Sequence, residues 1–218
     1  MTRHAADADC PFRFQAIRAL GEVRGMGGTA QTLRNLLHAD DPRVQVAAYE
    51  ALLQRGDSTI DSRPVGGDNF MLDLVVTDRP GFIYVKRSGS RRIALFGSHF
   101  RCVPPVLYRA DDGRVVLNAQ AGDDQLTVLR VVVASGAMSP AIPAPFDLPP
   151  LIELLGGEAD VTPEGEVTGV GLDYTAVVRA LHRLCTDRTI NARFVLEQPN
   201  TAEIFGPPRP AGRRESEL

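Results

Sequence analysis

The sequence predicts an α+β chain: a short helical block over residues 10–62, then a mainly antiparallel sheet domain over 66–200 that closes with a helix and a strand. Three observations carry this. Apolar residues recur every three or four positions through the first sixty residues, they alternate from Phe70 onward, and a helical stripe returns only near residue 177. With 218 residues, 44% of them hydrophobic and 23% charged, the chain has the composition of a folded globular protein, which excludes wholesale disorder. No run approaches the roughly 20 apolar residues of a membrane span.

In the helical block, Phe14, Ala16, Ile17, Ala19 and Leu20 share one face, and Leu33, Leu36 and Leu37 another. A third helix is expected after Asp40-Asp41-Pro42, because aspartate caps orphan amides and proline suits a first turn. Its stripe is Val44, Ala47, Ala48, Ala51 and Leu52, and Gly56 is the expected stop. Shifting the chain by 32 positions lays Phe14-x-Ala16-x-x-Ala19-Leu20 on Val46-x-Ala48-x-x-Ala51-Leu52. A period of this size in paired helices marks a helical solenoid, and the segment from Asp41 to Leu52 resembles the second helix of a HEAT repeat. An ordinary three-helix cap is the alternative. About one and a half repeats are legible, so the block either leans on the rest of the chain or ends a longer array. An incomplete array leaves an apolar end, and Phe12, Phe14 and Leu20 are the expected protein-interaction residues.

Around Arg63 to Asp68 the period changes. Phe70, Leu72, Leu74 and Val76 predict a strand with one strongly buried face, followed by a turn at Asp78-Arg79-Pro80-Gly81 and strands at Phe82 to Lys86 and Arg92 to Phe96. Further strands are expected at Val106 to Arg109, Val115 to Ala119 and Leu126 to Ala134. Five prolines within 135–150 predict an extended surface connector, followed by a short helix from Leu151 to Leu155. A longer helix opens at Leu172-Asp173, with Val177, Val178, Leu181, Leu184 and Cys185 on one face, and Ile190 to Leu196 is the last strand. The tail over 206–218 has the composition of a disordered segment.

The sequence supplies little reactive chemistry. His99 with Cys102, and His182 with Cys185, have metal-ligand spacing. His182 and Cys185 would share a helix face, but positions i and i+3 of a strand point oppositely, so the four groups are not expected to converge. No metal or other cofactor is therefore expected, with His182 and Cys185 the best ligands if one is present. Ser98 beside His99 lacks an orienting third group, and there is no Gly-x-Ser-x-Gly elbow, which leaves a metal-dependent hydrolase as a third-ranked function. Asp111-Asp112 and Asp123-Asp124 fall in expected turns, where water keeps carboxylates ordinary. The net charge of -3 gives no general attraction to nucleic acid. Lys86-Arg87 with Arg91-Arg92 is a local basic cluster suited to a phosphate or an acidic partner. Three widely spaced cysteines indicate no disulfide framework, and the first ten residues lack the apolar core of an export signal.

The stretch from Gly81 to Gly97, preceded by the HEAT-like segment and by Phe70 to Val76, resembles the C-terminal extension of a long variant of the bacterial flagellar P-ring protein. Tyr174 to Leu181 and the strand ending Phe194-Val195-Leu196-Glu197 are similar to that extension's closing helix and strand. The resemblance implies a structural, non-enzymatic assembly role, with basal-body components or further copies of the chain as partners and a periplasmic location. It carries no catalytic residues with it. The chain lacks the ring-forming region that precedes the extension. A cytosolic HEAT-type protein–protein adaptor unrelated to flagella is the second expectation, consistent with the missing export signal.

Overall fold

The computed structural model describes residues 1–23, 28–131, 139–160 and 169–198. The tail expected over 206–218 lies outside them, as do 132–134 of the expected strand and 135–138 of the expected connector.

Four helices lead: α1 (Thr2–Ala6), α2 (Arg13–Glu22), α3 (Thr29–Leu36) and α4 (Pro42–Arg55). α1 gives no sequence signal because one residue, Ala5, supplies its buried face. The start of α4 is set locally. The Asp41 carboxylate accepts from the Arg43 amide at 2.9 Å, Pro42 occupies the first turn, and Gly56 ends the helix at φ 66°, where a side chain would be strained. α2 packs on α4 through Gly21, where an added methyl would stand 3.0 Å from Ala51.

Two sheets follow. The first has five strands in the order β1-β2-β4-β3-β9, formed by β1 (Asp61–Val65), β2 (Phe70–Val75), β3 (Phe82–Lys86), β4 (Arg92–Phe96) and β9 (Arg193–Leu196). The second runs β5-β6-β7-β8, from β5 (Val106–Arg109), β6 (Val115–Ala119), β7 (Leu126–Arg130) and β8 (Ile142–Ala144), and is antiparallel throughout. β2–β4 and β3–β9 pair in parallel, the others antiparallel. Alternation identifies a strand's buried face but not its neighbour, so neither the division into two sheets nor the parallel pairs can be read from the pattern.

Three expectations need correction. β1 occupies a stretch expected only to mark the change of period. It holds Pro64, which an edge strand tolerates because its outward side needs no donor. The proline-rich connector contains β8, another edge strand, and the start of α5 (Leu148–Gly156). Pro149 and Pro150 do not delay that helix, since first-turn amides have no intrahelical partner to lose. Finally, β2 is not buried on one face alone: Asp73 and Val75 are buried with Phe70 and Leu72, while Val76 is 72% exposed.

β3 and β4 show why: they are apolar on both sides because both sides are covered. Ile83, Val85, Ile93 and Leu95 join a core with the second sheet, α5 and α6 (Tyr174–Thr186). Phe82, Tyr84, Ala94 and Phe96 join a second core with Leu33, Leu37, Ala48, Tyr49 and Leu52 of the helical block. The first sheet thus covers one face of the helical block.

Candidate functional site

The junction between α4 and the first sheet is built around a buried carboxylate. Tyr49 projects from the middle of α4, fully buried, and its hydroxyl donates to Asp73 Oδ2 at 2.5 Å. Ser62 of β1 donates to Oδ1 at 2.5 Å, and Arg92 Nη1 of β4 donates to both oxygens at 2.7 and 2.8 Å. A buried charge is tolerable only when paired and hydrogen-bonded, and Asp73 is both. The Tyr49 ring stands edge-on to Tyr84 and Phe96, with centroids 6.1 and 5.4 Å away. Burial, reinforced by the Asp73 charge, drives the Tyr49 hydroxyl far above its ordinary pKa, so it holds its proton and positions structure.

Beside this junction a groove of about 1450 Å³ opens between the helical block and the sheet. Phe14 and Arg18 of α2 and Val46, Ala47 and Glu50 of α4 form one wall. Tyr84 and Lys86 of β3, Arg87, and Val195 and Leu196 of β9 form the other. The Tyr84 hydroxyl donates to Glu50 at 2.8 Å, tying the walls together at the floor. The Glu197 carboxylate accepts from the Arg87 and Ser88 amides, each at 2.6 Å, and from the Ser88 hydroxyl at 2.8 Å, which fixes the turn after β3 against β9. Tyr174 braces the same corner from α6, its hydroxyl donating to the Lys86 and Arg92 carbonyls; burial raises its pKa to about 12.

Charge in the groove is unevenly matched. Arg92 is held by Asp73 and Arg43 by Asp41, but Arg18, Lys86, Arg87 and Arg193 have no ion pair among the described residues. The basic cluster singled out in the sequence therefore divides. Lys86, Arg87 and Arg92 line the groove, whereas Arg91 does not.

The other sequence candidates are scattered. Phe12 and Phe14 are 65% and 44% exposed, and only Phe14 lines the groove. Leu20 is not part of an open apolar end: at 2% exposure it belongs to the core shared by the helical block and the sheet. His99 is exposed at φ 65°, and His182 lies edge-on to Phe194 with centroids 5.1 Å apart. Cys102 is buried and Cys185 half-buried; burial raises their thiols to about 12 and about 11, so both are protonated at neutral pH. Among the described residues no group of three or more His, Cys, Asp and Glu side chains is arranged to hold a metal ion. The residues that sequence reasoning missed are Tyr49, Ser62 and Asp73 at the junction and Arg18 and Arg193 in the groove. An aspartate inside an otherwise apolar strand was the available signal.

Residues 2–63 match the family model for HEAT repeats. The match takes in all four leading helices, α1 with α2 and α3 with α4, and points to protein partners for this part of the chain. No curated protein and no solved structure matches the chain.

Proposed function

We propose that the protein is a non-catalytic docking module that holds another protein in the groove between α2, α4 and the first sheet. The observation that carries this is a groove lined by exposed or half-exposed apolar side chains and unpaired cations, on the flank of a HEAT-type helix pair whose neighbouring face is sealed by the sheet. Tyr84 in the groove, and Tyr49 and Cys102 outside it, support the same view, since burial keeps each protonated at neutral pH and so not poised for nucleophilic attack. The test is affinity capture from the native cell with the wild-type chain and with Phe14→Ser, a change at an exposed position that leaves the core intact. A discrete protein retained by the first and lost with the second is the expected result. An identical captured set from both overturns the proposal.

A narrower proposal, assembly in the flagellar basal body, is favoured by the sequence order alone: HEAT-like helices, the strand Phe70 to Val76, then Gly81 to Gly97. Co-fractionation of the protein with isolated basal bodies is its expected outcome. Absence from them, in cells that build flagella, counts against it.

A further inference from the structure

We infer that the groove takes an extended acidic segment of a partner protein, added as a new strand along the free edge of β9 with its carboxylates among Arg18, Lys86, Arg87 and Arg193. This rests on the docking proposal above and specifies what is docked.

The edge comes first. β9 is last in its sheet and pairs only with β3 among the described residues. The Glu197 amide donates to the Val85 carbonyl at 2.9 Å. In a parallel ladder only alternate residues bond to a given neighbour, so this fixes the phase and turns the amides and carbonyls of Phe194 and Leu196 away from β3. An unpaired edge is a template for another strand, and proteins commonly blunt such edges with proline. Of the four edge strands, β1 and β8 carry Pro64 and Pro143, whereas β5 and β9 carry none, and of these two only β9, with Leu196 43% exposed, lines the groove.

Charge then selects the occupant. The chain as a whole is at -3, yet the groove is locally cationic. Of its carboxylates, Asp41 is paired with Arg43, whereas Glu50 and Glu197 accept from neutral donors, the Tyr84 hydroxyl and the turn after β3, and keep their charge. Glu22, one helical turn beyond Arg18, is likewise without an ion pair among the described residues, so the four free cations outnumber the three unpaired carboxylates by one. Arg193 sits within β9 itself, so two copies joined edge to edge in parallel register would bring like charges together, whereas an antiparallel pair would not. An acidic strand suffers no such penalty and meets complementary charge on both walls. The chain's own residues 199–218 hold three arginines and three glutamates, and so offer no net acid.

The test uses the full chain and short fluorescent peptides alternating Glu with Val, the same peptide with Lys for Glu, and the Glu peptide N-methylated at alternate backbone amides to block strand pairing. The Glu peptide should bind, the Lys peptide should not, and N-methylation should weaken binding at least about tenfold. Arg18→Glu with Arg193→Glu, both exposed, should weaken it by a similar factor with an unchanged circular dichroism spectrum. Equal binding of Glu and Lys peptides, binding by neither, indifference to N-methylation, or indifference to the double charge reversal overturns the inference. Capture of a native partner that is lost with Phe14→Ser but untouched by the double reversal rejects the acidic strand while preserving the docking proposal. Capture untouched by either change rejects both.

Discussion

α4 meets the first sheet in two different ways along its length. On one side Tyr49 enters a junction where the Asp73 carboxylate is satisfied by Tyr49, Ser62 and Arg92, and the surrounding Phe82, Tyr84 and Phe96 are almost fully buried. On the adjoining side the half-buried Val46, Ala47 and Glu50 line a groove where four cations have no ion pair among the described residues. A satisfied buried charge fixes how two layers sit together, because any other arrangement strands it. A free charge beside partly covered apolar side chains leaves binding energy available to something else. One helix thus serves folding on one flank and, under the docking proposal, recognition on the other.

The contrast breaks most sharply at Asp73. Asp73→Ala leaves Arg92 without its counter-ion and Tyr49 without its acceptor, and should cost about 3–5 kcal/mol in urea denaturation. A loss near zero would mean the junction is not what joins helices to sheet. Tyr49→Phe is milder. It keeps the ring contacts and leaves Asp73 with Ser62 and Arg92, so about 1–2 kcal/mol is expected from the same measurement.

A second ion pair sharpens the comparison through pH. The Arg34 guanidinium, hydrogen-bonded to Asp57 at 2.8 Å, holds that carboxyl at about 2 in the folded chain. A depressed folded-state pKa means the contribution is complete above the unfolded value near ~3.9 and is lost as pH falls from there toward ~2. Asp57→Asn should therefore lower the urea midpoint at neutral pH and flatten its dependence on pH across that acidic window. An unchanged slope would show that the pair contributes nothing. The smallest stability effect belongs to the open flank: Phe14→Ser should stay within about 0.5 kcal/mol of wild type by denaturation, since the ring is 44% exposed, while removing partner capture.

Much of the architecture was legible because it follows from local chemistry. Asp41-Pro42 and Gly56 bracket α4, Asp173 caps α6 by accepting from the Ala176 amide at 2.8 Å, and alternation together with turn signals located β2 to β7. What escaped depends on neighbours. Pro64 and Pro143 argue against central strands, and both lie in edge strands, a placement only the assembled sheet reveals. Leu20 could not be told from Phe14 by periodicity, yet one enters the shared core and the other lines the groove. The site was half visible: Lys86, Arg87 and Arg92 stood out as a basic cluster, but Arg18 and Arg193 join them only through folding. Asp73, alternating with apolar residues, suggested a solvent-facing side; covering both faces of the sheet buried it instead.

The most direct measurement places a photo-crosslinking side chain at Ala47, in the groove, or at Leu107, 76% exposed on the second sheet, and illuminates the native cell. A discrete protein adduct from position 47 and none from 107 is predicted. Equal adducts from both positions, or none from 47, would contradict a recognition surface beside the sealed junction.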